Sequence, residues 1–76
     1  MSSFKVYALE NCPYSLNAVR LLQDNKSPTQ VKWITRDKKD QVKAKHGWDT
    51  FPQVYVNRRR IGGFEQLERF LRDSKS

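Results

Sequence analysis

The sequence predicts an α/β fold, a single domain over residues 1–76 with segments in the order β-α-β-α-β-β-α. Three observations predict it. Apolar residues alternate in short runs and recur at helical spacing in longer ones. A strand, a helix and a second strand fit within about 35 residues, as in one βαβ crossover with parallel strands. Two further strand-like runs meet across a basic turn, as in a hairpin.

Along residues 4–9, Phe4, Val6 and Ala8 share one face and Tyr7 and Leu9 the other. That is an interior strand, apolar on both sides. Glu10 and Asn11 then make a short loop. A helix is expected from Pro13 to Asp24 or Asn25, with Tyr14, Ala18, Leu21 and Leu22 on its core stripe. Leu16 and Val19 fall off that stripe, either under another element or as an apolar docking rim near Cys12. Pro28 disfavours helix at Ser27 and closes the segment. Residues 30–35 carry the β-branched and aromatic side chains of a second strand. The polar segment 38–46 is expected as a short, weakly packed helix stopped by Gly47. The third strand follows Pro52, with Val54 and Val56 on one face and Gln53 and Tyr55 on the other. Asn57 to Arg60 is expected as a turn, Ile61 as the start of a short return strand, and Gly62-Gly63 as its end. The last helix runs from Phe64 to Asp73, with Leu67, Phe70 and Leu71 on one face and Glu65 in the first turn. Residues 74–76 should fray.

Composition narrows the partners. Fifteen Lys and Arg against eight Asp and Glu leave a net charge of +7, a field that draws in acidic partners and small anions. The cations are dispersed, dense only at Lys38-Lys39 and Arg58-Arg59-Arg60. No basic recognition helix or base-stacking platform is evident, so nucleic acid is not an expected partner. No run of about 18 apolar residues exists to span a membrane. Met1-Ser2-Ser3 leads straight into a strand, without the basic and apolar regions of a secretory signal. A lone cysteine makes no internal disulfide. A reducing, cytoplasmic setting is expected. His46, the one histidine, has no second ligand at metal-binding spacing, and no metal site is expected.

The chemistry centres on Asn11-Cys12-Pro13-Tyr14-Ser15, which holds the one cysteine of the chain. With Cys12 as N-cap, Pro13 stands at N1, where its missing N–H costs nothing. The N–H groups of Tyr14 and Ser15 then point back at the sulfur, and the helix dipole favours a thiolate. Such cysteines have lowered pKa values and react readily. Free cysteine is also a common buried residue, and the helix-start position is what favours the reactive alternative.

Three motifs sit in register on this order: Cys12-Pro13-Tyr14-Ser15, Thr50-Phe51-Pro52 and Ile61-Gly62-Gly63-Phe64-Glu65-Gln66-Leu67. Together they resemble the glutaredoxins over nearly the whole chain, and the last motif resembles compact bacterial and phage members. The resemblance implies a thioredoxin-like fold, a four-stranded mixed sheet of order 2-1-3-4 flanked by three helices. It also implies a glutathione-dependent thiol–disulfide oxidoreductase with Cys12 as nucleophile. By the same resemblance Pro52 is cis and Phe51 pairs with the cysteinyl unit of glutathione. Gly63, Phe64 and Glu65 then hold the γ-glutamyl end, and Tyr14 flanks the sulfur. Glutathione is the co-substrate, glutathionylated or disulfide-bearing proteins are the partners, and the chain acts as a monomer.

Two departures stand out. Leu9 occupies the place of a common family lysine, and Arg36, Lys43 and Lys45 are candidates to receive the glycyl carboxylate instead. Ser15, natural or engineered, occupies the resolving-cysteine position. It leaves a one-thiol route in which Cys12 takes up glutathione and a second glutathione releases it. Replacing Ser15 by Cys is expected to cost the fold little. An alternative implied by one-thiol relatives is a dimeric iron–sulfur carrier ligated by Cys12 and glutathione. Those relatives usually carry Gly-Phe where this chain has Pro13-Tyr14, and a rigid proline beside the sulfur should hinder a bridging cluster.

Overall fold

The computed structural model describes residues 3–74. Its strands are β1 (Phe4–Leu9), β2 (Thr29–Ile34), β3 (Gln53–Val56) and β4 (Arg59–Gly62). Its helices are α1 (Pro13–Asp24), α2 (Lys39–His46) and α3 (Phe64–Ser74), with a 3-10 turn at Arg36–Lys38 leading into α2. The strands form one sheet of order β2-β1-β3-β4. β1 runs parallel to β2 and antiparallel to β3, and β4 returns antiparallel to β3. This is the mixed sheet implied by the resemblance. Residues 75 and 76, where the end was expected to fray, lie outside the described residues. Among those described, no helix is long and apolar enough to cross a membrane.

Both faces of β1 are covered, as its two-sided apolar pattern requires. Phe4, Val6 and Ala8 join Val54 and Val56 of β3, Ala18, Val19 and Leu22 of α1, and Leu67 and Leu71 of α3 in the main core. On the other face Leu9, Ile34, Trp48 and Phe51 form a second cluster, capped by Val42 of α2. Gly47 ends α2 in the left-handed conformation (φ 70°), and Trp48 N–H reaches back to the Lys43 carbonyl at 2.9 Å. This helix stop turns Trp48 inward, where its ring stacks on His46 at 4.2 Å and meets Tyr7 at 4.9 Å.

Three expectations need correction. The stripe of α1 is rotated: Ser15, Ala18, Val19 and Leu22 are buried, whereas Tyr14 is 63% exposed. Apolarity alone misplaces the stripe because a serine lies at its centre. Val19 is thus core, and of the expected apolar rim only Leu16 faces solvent. The return strand begins at Arg59 rather than Ile61, because Asn57 (φ 49°) and Arg58 (φ 71°) complete a two-residue turn of the mirror-image type that suits strand twist. Ile61 falls at a register shift between Val54 and Tyr55, and Arg59 and Arg60 lie exposed on an edge strand, where charge discourages pairing with other chains. The second strand, finally, starts at Thr29 and ends at Ile34, one residue earlier than its pattern suggests.

Candidate active site

Asn11 takes a left-handed conformation (φ 57°), which asparagine tolerates, and turns the chain from β1 into α1. Cys12 follows as N-cap in extended geometry (φ −112°, ψ 118°) with Pro13 at N1. The first helical bond runs from Leu16 N–H to the Cys12 carbonyl at 3.0 Å. The sulfur closes no full capping bond, yet its surroundings favour the thiolate. Burial pushes the Cys12 thiol up, but the Ser15 N–H, the Ser15 hydroxyl, the Tyr14 N–H and the Arg36 guanidinium together hold it below its ordinary value. The helix start supplies the donors that the sequence placed there.

Ser15 does more than face the sulfur. Its side chain is 0% exposed, and its oxygen accepts the Leu9 N–H at 2.9 Å. A buried backbone donor thereby finds a partner, while the hydroxyl proton remains free to turn toward Cys12. In Ser15→Cys that N–H would face sulfur, a weaker acceptor, so the bond adds a cost to the substitution that the sequence did not show.

Leu9 is buried in the second cluster and brings no charge to the sulfur. Of the three candidate cations, Arg36 is the one whose field reaches Cys12. Its Nε donates to the Glu10 carbonyl at 3.1 Å and its Nη2 to the Asn11 carbonyl at 2.7 Å. It thus fixes the loop that presents the cysteine. Lys43 and Lys45 lie on α2.

The other two motifs converge on this point. The Phe51–Pro52 bond is cis, and both residues are buried, Phe51 in one cluster with Leu9, Ile34 and Trp48 against which Cys12 packs. The Thr50 hydroxyl donates to the Phe51 carbonyl at 3.3 Å. Gly63 lies beside this loop, where a Cβ would stand 3.5 Å from the Pro52 carbonyl. At Gly62 φ is +123°, a conformation other residues rarely adopt, and a Cβ would come within 2.8 Å of the Gln66 side chain. Gln66 accepts the Gly63 N–H at 2.9 Å through Oε1. That is one half of a capping box, in which a residue at N3 reaches back to the N-cap. Leu67 N–H bonds the Gly63 carbonyl at 3.1 Å, so the N–H groups of Phe64 and Glu65 have no acceptor within the helix. The Tyr14 and Phe64 rings, 6.4 Å apart, join the two helix starts. Cys12, Tyr14, Phe51, Pro52, Gly63 and Phe64 are thus brought together, with exposed Glu65 adjoining them.

Sequence reasoning missed two neighbours. Gln66 was legible as a Gln three residues beyond Gly63. Trp33, 46% exposed on the edge strand β2, lies beside Cys12 with Pro13 and Leu16, and nothing in its local pattern announces that.

The lowered pKa sets a first prediction. The alkylation rate of Cys12 against pH should have its midpoint below the free-thiol value of about 8.5, and Arg36→Ala should move it upward. A midpoint at or above the free-thiol value defeats the assignment. Because the folded pKa is depressed, the reduced protein should gain stability as pH rises from that pKa toward the free-thiol value. It should lose that gain as pH falls back through the folded pKa.

Similarity to known proteins bears on the family and the fold. Residues 4–61 match the sequence-family model for glutaredoxin. Glutaredoxin 1 of Rickettsia prowazekii (strain Madrid E) is 31% identical over 67 residues, covering 82% of this chain and 70% of that protein. Glutaredoxin 1 from Francisella tularensis, solved complexed with cacodylate, superposes with a TM-score of 0.86 at 19% identity, over 99% of this chain and 98% of that one. The buckwheat glutaredoxin–glutathione complex gives 0.74 at 21% identity, over 97% of this chain and 72% of that one. The two superpositions speak to the fold. The match to the family model, with the curated relative, carries the assignment: this chain belongs to the glutaredoxin family, the thiol oxidoreductases of this fold.

Proposed function

We propose that this protein reduces glutathione mixed disulfides through Cys12 alone. The Cys12 thiolate attacks the glutathione sulfur of a protein–glutathione disulfide. A Cys12–glutathione bond forms, the original S–S bond breaks, and the protein sulfur leaves with the electron pair and takes a proton. A second glutathione, as thiolate, attacks the mixed disulfide, forming glutathione disulfide and returning the Cys12 thiolate. One glutathione thiol is oxidised for each protein thiol freed, and the product disulfide joins it to the glutathione that the protein had carried.

The observation that carries this reading is the convergence of a thiol of lowered pKa with the Phe51–Pro52 loop and the start of α3. Glutathione is an anion with two carboxylates, and each segment offers it something. The free N–H groups of Phe64 and Glu65, at the positive end of α3, suit the γ-glutamyl carboxylate. The Glu65 carboxylate suits the γ-glutamyl ammonium. Phe51 belongs to the cluster against which Cys12 packs, and its backbone is assigned the cysteinyl unit, while Tyr14 and Pro52 are assigned the walls of the site. Arg36 is the cation nearest in effect to the sulfur and is assigned the glycyl carboxylate. The net charge of +7 hastens arrival of this anion.

Two measurements test this. Oxidised glutathione should add one glutathione per chain, at Cys12, by intact-mass analysis. Glu65→Ala and Phe64→Pro, the latter removing an N–H at a position where helices accept proline, should each raise KM for glutathione by roughly tenfold. Unchanged turnover in both variants would show that the γ-glutamyl end lies elsewhere.

A further inference from the structure

Among the described residues the large hydrophobic side chains most open to solvent are Tyr14, Leu16 and Trp33, exposed by 63%, 41% and 46%. All three stand around Cys12, a clustering that scattered surface hydrophobics do not show. Tyr14 leans toward Phe64. Leu16 and Trp33 instead line a separate groove of about 380 Å³ with Asn11, Cys12, Pro13 and Asn17. Trp33 pairs in register with Ala8, whose side chain points to the α1 layer, so the indole stands next to the first turns of α1. None of Phe51, Pro52, Gly63 or Phe64 lines this groove.

We propose that this groove receives a large apolar side chain flanking the reactive cysteine of a protein substrate, and so selects disulfide-bearing proteins with such a flank. This rests on the reading that Cys12 attacks disulfides. It adds what the other half of the disulfide carries. Cys12 is itself part of the groove wall, so whatever fills the groove is brought there by a bond being made or broken at that sulfur. The lining has no Lys, Arg, Asp or Glu. Glutathione's carboxylates therefore find no counter-charge in it, and a charged flank would lose water without gaining a partner. An apolar side chain meets Pro13, Leu16 and Trp33 instead. The amides of Asn11 and Asn17 supply donors and acceptors to the accompanying backbone.

Peptides with one cysteine, activated as the thionitrobenzoate disulfide, test this without glutathione. The Cys12 thiolate attacks the peptide sulfur, a Cys12–peptide disulfide forms, and thionitrobenzoate leaves as a coloured thiolate with the electron pair. One peptide carries Phe next to the cysteine, a second Ser, and a third substrate is activated free cysteine. The native protein should react with the Phe peptide roughly tenfold faster than with the Ser peptide. Trp33→Ala and Leu16→Ser should erase that preference while leaving the rate with activated cysteine unchanged, and Trp33→Phe should retain most of it. Equal rates for the two peptides, or variants that slow both alike, overturn the proposal. Glutathione-dependent turnover of cysteine–glutathione disulfide, run beside it, tests the earlier reading separately. Peptide preference without that turnover supports the groove and defeats the glutathione reading; turnover without preference does the reverse.

Discussion

Cys12→Ser should lower mixed-disulfide turnover at least ~10⁴-fold, to the rate of the uncatalysed exchange. The variant keeps the shape of the helix start but has no nucleophile. A hydroxyl in the same field is un-ionised at neutral pH, whereas the thiol is held below its ordinary value by the donors of Ser15 and Tyr14 and by Arg36. No other residue can take over, because the chain has one cysteine. The side chain is half-buried at the edge of the second cluster, so a one-atom change should leave the fold intact. The test is coupled turnover of a glutathionylated peptide, with circular dichroism to verify folding. Residual activity above about one hundredth of the native rate would remove Cys12 from the centre of the chemistry.

Ser15→Cys should create an activity that the one-thiol route lacks. The new thiol stands at N3, where the Ser15 hydroxyl already faces the Cys12 sulfur. As a thiolate it would attack the Cys12–glutathione disulfide, form an internal disulfide and release glutathione with its electron pair. By the same order of steps Cys12 attacks a protein disulfide, one protein sulfur leaves as a thiol, and the new thiolate releases the other by closing the internal disulfide, which glutathione then reopens. The gain has a cost in stability. The Leu9 N–H, now bonded to the Ser15 oxygen at 2.9 Å in a buried setting, would face sulfur. Losing that bond outright costs about 1–3 kcal/mol, and each kcal/mol lowers Tm by about 4–8 °C in a domain of this size. Ser15→Ala should show the full loss with no new disulfide and should raise the Cys12 pKa as the hydroxyl disappears. Thiol counts before and after mild oxidation, with thermal melts of the reduced forms, separate the two effects. Two free thiols persisting in Ser15→Cys under oxidant would refute the geometry at the helix start.

The elements and the motifs were legible because hydrophobic period and turn residues sit where strands, helices and caps need them. Phe4, Val6 and Ala8 face the core as their alternation predicts, and Pro52 is cis as the resemblance implies. The buried stripe of α1 was misread for a physical reason, with Ser15 inside it and Tyr14 outside. A polar residue buried to satisfy a backbone donor is invisible to any rule that equates core with apolar. Arg59 and Arg60 were read as turn because three consecutive arginines follow Asn57, yet edge strands tolerate charge and the turn needs only two residues. Trp33 could not be placed at all. Its neighbourhood with Cys12 comes from the parallel register of β2 on β1, which no local pattern encodes.

The sheet order has a consequence for how the protein comes apart. β1, α1 and β2 form one contiguous unit carrying Cys12 and Tyr14, while β3, β4 and α3 form another carrying the Phe51–Pro52 junction and Gly63. They meet along the β1–β3 ladder and where Phe4 packs edge-on against Phe70 at 5.8 Å. The thiol belongs to the first half and the helix start proposed for the γ-glutamyl carboxylate to the second, so the proposed site exists only along their seam. Partial opening of that seam would leave a cysteine still seated on its helix but parted from the Phe51–Pro52 junction and the start of α3. Such a state would react with small alkylating agents and fail with glutathione, making turnover a finer gauge of the docked fold than thiol reactivity.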